Sequence, residues 1–82
     1  MHETIHFSTM LQERSIAREW VDQVISAPDK FEEKEDGTCH FLKRISAREN
    51  RWLRVIVNTR DKPNRLVTAF FDRRLRRNTD ES

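Results

Sequence analysis

Eighty-two residues, 35% hydrophobic and 37% charged with a net charge of +2, describe one small domain with a thin core and no room for a second. The single cysteine excludes an internal disulfide, the single glycine excludes phosphate-loop and dinucleotide fingerprints, and no apolar run approaches the ~20 residues that cross a bilayer. The charge is divided: residues 1–36 carry nine acids against four bases, whereas residues 43–77 carry twelve bases against three acids.

In chain order, residues 3–6 read as either a very short extra strand or an irregular lead-in. From Phe7 the period turns helical, with Phe7, Met10, Leu11 and Arg14 at i, i+3, i+4 and i+7 and with Ser8 or Thr9 as the expected cap. Ser15 interrupts and is placed to cap a second helix, in which Ala17, Trp20, Val21 and Val24 form the apolar stripe and Pro28 is the stop. The segment FEEKE, Asp36-Gly37, TCHFLKRI then reads as a hairpin on a two-residue turn, pairing Glu35 with Thr38, Glu33 with His40 and Phe31 with Leu42. With residues 47–50 as the next loop, Leu42 lies opposite Val55 and Phe41 opposite Ile56. A turn over Asp61–Asn64 sets Val57 against Thr68 and Val55 against Phe70.

These elements predict an α+β fold: two N-terminal helices packed on one face of a four-stranded antiparallel meander, over a domain of residues 1–77 with a frayed, disordered tail at 78–82. The registers predict that the helices cover Phe31, Leu42, Leu53, Val55, Val57, Leu66, Thr68 and Phe70, with His40 and Glu33 near one end. The other face then carries Phe41, Ile45, Trp52, Ile56, Val67, Ala69 and Phe71 among Lys43, Arg54, Arg65 and Arg73.

Arginine beside exposed aromatic rings suits single-stranded RNA, since guanidinium meets phosphate while rings stack on bases. The expected RNA-binding set is Lys43, Trp52, Arg54, Arg65, Arg73 and Arg76. The same face is open to a second reading, a homodimer or partner-protein interface through Phe41, Ile56 and Phe71. A third treats the arginines as a solvated surface paired with helix acids. RNA cleavage without metal requires an acid, a base and cations for the phosphorane charge; His6, His40 and Glu33 are candidates for the first two, and Lys43, Arg54, Arg65 and Arg73 for the third. Cys39 reads as packing. No cofactor or metal pattern is present, and MHETIHF lacks the apolar stretch of a signal peptide, so a cytoplasmic, non-membrane protein is expected.

The run HFSTMLQERSI, a following helix ending in Ala27-Pro28, a hairpin and LVTAFF together resemble a family of small bacterial proteins of unknown function. Its pattern is a histidine opening a short helix, Glu-Arg-Gly-Ile between helices, Asn-Pro ending the second, and a sheet closing on Val-Thr. That family looks like a branch of the RelE and BrnT type of toxin fold, whose active members are metal-independent ribonucleases. On this resemblance His6 matches the opening histidine, Glu13, Arg14 and Ile16 the inter-helix motif, and Val67 with Thr68 the last strand. The chain departs at Met10, where arginine is common, at Ser15 for glycine and at Ala27 for asparagine, and it has no tyrosine. The resemblance implies a toxin-like ribonuclease with a cognate antitoxin-like partner. The expected catalytic set is His6, Arg14 and Arg54, with His40 and Glu33 as alternates.

Overall fold

The computed structural model describes residues 4–75, in which two helices precede a four-stranded antiparallel sheet of order β1-β2-β3-β4. The helices are α1 (Ile5–Glu13) and α2 (Arg18–Ser26), and the strands are β1 (Lys30–Glu33), β2 (Thr38–Ile45), β3 (Arg51–Asn58) and β4 (Arg65–Phe71). Among the described residues no helix is long and apolar enough to cross a membrane. The frayed tail expected at 78–82 lies outside the described residues.

The predicted architecture holds, with local corrections. No extra strand forms over residues 4–6: Ile5 and His6 already belong to α1, and Thr4, rather than Ser8 or Thr9, caps it by accepting from Phe7 N–H at 3.1 Å. Residue 3 lies outside the described residues. Ser15 does not cap α2. It holds φ 56 while its N–H donates to Gln12 C=O (3.2 Å) and the Ile16 N–H donates to Leu11 C=O (2.9 Å). This is the Schellman end of α1, and the buried Ile16 and Leu11 supply its hydrophobic contact. The glycine of the Glu-Arg-Gly-Ile pattern therefore stands where the backbone is left-handed, and serine occupies that conformation here with strain.

All three inter-strand registers differ from expectation by small steps, and the first two have their cause in the connecting loops. The β1–β2 loop holds three residues, Glu35 to Gly37, closed by Lys34 N–H to Thr38 C=O (2.9 Å), with Gly37 at φ 90. A turn followed by a left-handed glycine bulge replaces the two-residue turn, so Phe31 faces Phe41 and Glu33 faces Cys39. The β2–β3 loop is one residue longer than expected because a 3-10 turn, Ser46–Arg48, is followed by Glu49 and Asn50, both at φ 60, and Phe41 meets Val55. β4 is shifted too, and a bulge between the Ile56–Thr68 and Val57–Leu66 pairs adds a further residue.

The face assignment changes accordingly. β3 faces as predicted, with Leu53, Val55 and Val57 toward the helices. In β2 it is Phe41 and Ile45 that join the core, and Leu42 and His40 turn to the other side. In β4 it is Ala69 and Phe71 that join, and Phe70 turns away. Two register steps cancel at Phe31, and the bulge restores Leu66. Phe41 and Phe71 pack against the helix layer while Ile56 lies on the opposite face, so the surface of Phe41, Ile56 and Phe71 expected for dimerisation does not exist as one surface. Phe7, Met10, Leu11, Ile16, Val21 and Val24 close the core from above.

Candidate functional site

The face of the sheet away from the helices is organised around Arg54. Pleat alternation along β3 sends Arg54 to this side between Trp52 and Ile56, and the registers bring Leu42 and Phe70 opposite it. Its side chain is only 8% exposed, and it is held by three groups. Nε donates to Asp72 Oδ2 at 2.8 Å; Nη1 donates to Glu32 Oε1 at 3.1 Å and to His40 Nδ1 at 2.7 Å. The second terminal nitrogen, Nη2, donates to no group among the described residues. Among the described residues no buried side-chain nitrogen or oxygen lacks a partner, so Nη2 reaches solvent.

Asp72 follows β4 and is fixed by its own N–H donating to Trp52 C=O at 2.9 Å. Its carboxylate accepts from Arg74 N–H (3.0 Å), Arg74 Nε (3.1 Å) and Arg74 Nη2 (3.0 Å) as well as from Arg54. The Arg74 side chain first, then the Arg74 backbone and Arg54, hold its pKa far below the ordinary carboxylate range despite burial, which acts the other way. Glu32 is lowered by hydrogen bonds from Lys34 first and Arg54 second, and Lys34 Nζ lies 3.1 Å from Glu32 Oε1. His40 is lowered by desolvation first, then by the charges of Arg54 and Lys34.

The imidazole state follows from these contacts. Guanidinium has only donors, so Nδ1 of His40 accepts and the ring proton sits on Nε2. Arg54 Nη2 and His40 Nε2 are thus two N–H donors on one charge-stabilised cluster. Lys34 pairs with Glu32 (3.1 Å) and Arg74 with Asp72 (3.0 Å), so two further cations adjoin the cluster. Trp52 is 4% exposed, with Lys30 and Arg44 over its ring at 5.5 and 5.3 Å. It carries the cations and offers little ring surface to a base.

The other predicted residues are placed as follows. His6 is exposed in the first turn of α1, on the helix side of the sheet. Arg14 caps the end of α1 and donates to Ala69 C=O (2.8 Å) and Thr68 Oγ1 (3.2 Å), while the Thr68 hydroxyl donates to Met10 Sδ (3.1 Å). The inter-helix motif and the Val-Thr motif therefore meet each other in space, as a tie between α1 and β4. Glu33 pairs with Cys39 on the side facing away from His40; the carboxylate beside His40 is Glu32. Lys43 is bound to Ala27 C=O (3.0 Å) and Asp29 (3.8 Å), and Arg65 to Asp61 (2.7 Å). Arg73 is exposed past β4, and Arg76 lies outside the described residues. His6, Arg14 and Arg54 do not converge.

Sequence reasoning missed Glu32, Asp72, Lys30 and Arg44. Asp72 carried one signal, as the only acid within residues 62–77. No cluster of three or more His, Cys, Asp or Glu side chains placed to hold a metal occurs among the described residues. A family model described as a domain of unknown function (DUF4258) matches residues 4–71. Comparison with curated proteins and with solved structures yields no match.

Proposed function

We propose, from the premise that the chain belongs to the DUF4258 family, that it is a toxin-like domain which binds single-stranded RNA on its open sheet face. The observation that carries the reading is Arg54, desolvated at the centre of that face and fixed by Asp72 and Glu32, with Nη2 and the His40 Nε2–H left to donate. A preorganised guanidinium in a setting of low water content binds a phosphate oxygen more strongly than a mobile surface lysine does. Lys30, Lys34, Arg44 and Arg74 extend the positive field along a strand, and Ile56 and Phe70 supply apolar surface between them.

Binding is favoured over cleavage. His40, the histidine beside Arg54, has its Nδ1 occupied by Arg54 and its Nε2 protonated, so it offers a donor and no vacant base, and the Glu32 and Asp72 carboxylates are each held by Arg54 and a second cation. His6 belongs to the other side of the sheet, and Arg14 is spent on β4. A cleaving state requires His40 to release Arg54.

The test is fluorescence anisotropy of a labelled oligouridine over a range of salt, using wild type, Arg44→Gln and Arg74→Gln. The reading predicts affinity that falls linearly in log salt, and a slope smaller by about one in each variant. Identical curves in wild type and both variants, or no binding at low salt, would remove it. Wild-type protein incubated with total RNA in chelator separates binding from cleavage: intact RNA is the expected result.

A further inference from the structure

We propose that the concavity at the β2–β3 loop is a second anion site, separate from the Arg54 face, and that it takes a phosphate group. It is lined by Ala47, Arg48, Glu49 and Arg51. Arg48 lies over the rings of Trp20 (5.8 Å) and Phe71 (5.4 Å), and Arg51 lies over Phe71 at 4.8 Å. Trp20 and Phe71 meet edge to face at 6.1 Å, with their planes 69° apart, and both guanidinium groups lie near the Phe71 ring.

A cation–π contact does not satisfy a guanidinium's N–H donors with an acceptor oxygen, so those donors remain available to an anion. Among the described residues neither arginine forms an ion pair or a side-chain hydrogen bond. That distinguishes them from Arg14, Arg54, Arg65 and Arg74, whose side chains are all engaged. Two like charges lining one concavity repel, and an anion held between them relieves the repulsion.

The loop backbone holds both arginines at the rim. The Ser46–Arg48 turn is closed by Glu49 N–H to Ser46 C=O (3.2 Å) and Asn50 N–H to Ile45 C=O (3.0 Å). Glu49 is the third charged lining group and leaves the rim at a net charge of +1; the preference for phosphate over a lone carboxylate rests on the two guanidinium forks, which match its several acceptor oxygens. The site does not rest on the RNA reading. Arg51 points to the helix side of β3 and Arg54 to the other, so each can fail alone.

The experiment is a titration of the full chain with inorganic phosphate, followed by two-dimensional amide and indole NMR, with acetate at matched ionic strength as the second arm. Phosphate is expected to give saturable shifts at Ala47, Arg48, Glu49, Arg51 and the Trp20 indole, with acetate weaker by roughly tenfold. Arg48→Gln and Arg51→Gln are each expected to weaken phosphate by about fivefold or more, and Arg51→Lys, which keeps the charge and loses the fork, by an intermediate amount. Arg44→Gln is expected to leave it within about twofold. A third arm with uridine 5′-monophosphate identifies the source: equal affinity indicates free phosphate, and tighter binding a nucleotide. Non-saturating shifts, equal binding of acetate, or unchanged affinity in folded Arg48→Gln and Arg51→Gln would overturn the proposal.

Discussion

Replacing Asp72 by asparagine tests how the centre of the open face is held. The carboxylate is 2% exposed and accepts from Arg54 Nε, at 2.8 Å, and from three donors of Arg74. Removing one partner of a buried ion pair costs about 3–5 kcal/mol, because the remaining charge stays desolvated. The Arg74 side chain is 78% exposed, so its share is small. Asparagine keeps one carbonyl oxygen for Arg54 Nε, which places the expected loss at the lower end, about 3 kcal/mol. A domain of this size has a total stability of roughly 4–12 kcal/mol, so the change is large against it. Urea unfolding followed by tryptophan fluorescence at pH 7 reads it directly; with a slope near 1 kcal/mol/M the midpoint falls by about 3 M. The pH dependence gives an independent check. Asp72 and Glu32 are both depressed in the folded state, so their stabilisation is present above the unfolded carboxylate pKa near 4 and is lost as pH falls below it. Asp72→Asn is expected to flatten that acid limb. A loss below about 1 kcal/mol with an unchanged acid limb would refute the reasoning that Asp72 fixes Arg54.

Three further outcomes follow from other parts of the fold. Ser15→Gly relieves the left-handed strain at φ 56 and is expected to stabilise by up to about 1 kcal/mol, a rise of roughly 4–8 °C in thermal midpoint; a fall would contradict the assignment of the Schellman end. Arg14→Ala removes the tie to Thr68 and Ala69 and is expected to cost about 1–2 kcal/mol in denaturant unfolding while leaving RNA affinity unchanged; lost affinity at unchanged stability would return Arg14 to the site. His40 is expected to titrate below the ordinary imidazole value with its proton on Nε2, read by nitrogen-15 NMR of the ring. Because its folded pKa is depressed, its contribution is full above the unfolded value near 6.5 and is lost as pH falls through the folded one, a slope that His40→Gln removes.

The helix–helix–meander order was legible because each element carried its own period and punctuation. Phe7, Met10 and Leu11 mark one face of a helix, Pro28 ends the second, and the alternation of Leu53, Val55 and Val57 fixes β3 in the sheet. Registers were less legible because they depend on loop conformation, which one residue decides. Asp36-Gly37 signals a two-residue turn, yet Asp36 Oδ1 accepts from Thr38 N–H and Oγ1, and the left-handed Gly37 becomes a bulge instead. Each such step turned β2 or most of β4 over, so Leu42 and Phe41 exchanged roles. The candidate site inherited that difficulty. Arg54 was found because its own strand was placed correctly, whereas its partner Glu32 was hidden behind Glu33 by a one-residue shift. Asp72 lies past the end of β4, where no periodicity speaks for it, and its role depends on a contact with Arg54 across 18 positions of chain.

The central claim is that the sheet face opposite the helices, centred on Arg54, receives RNA. The most direct measurement is chemical-shift mapping of the labelled protein with a short oligouridine at low and at physiological salt. The account predicts shifts at Lys30, Glu32, His40, Arg44, Arg54 and Arg74 that weaken steeply with salt. Shifts confined to α1 and α2, or none at millimolar RNA, would contradict it.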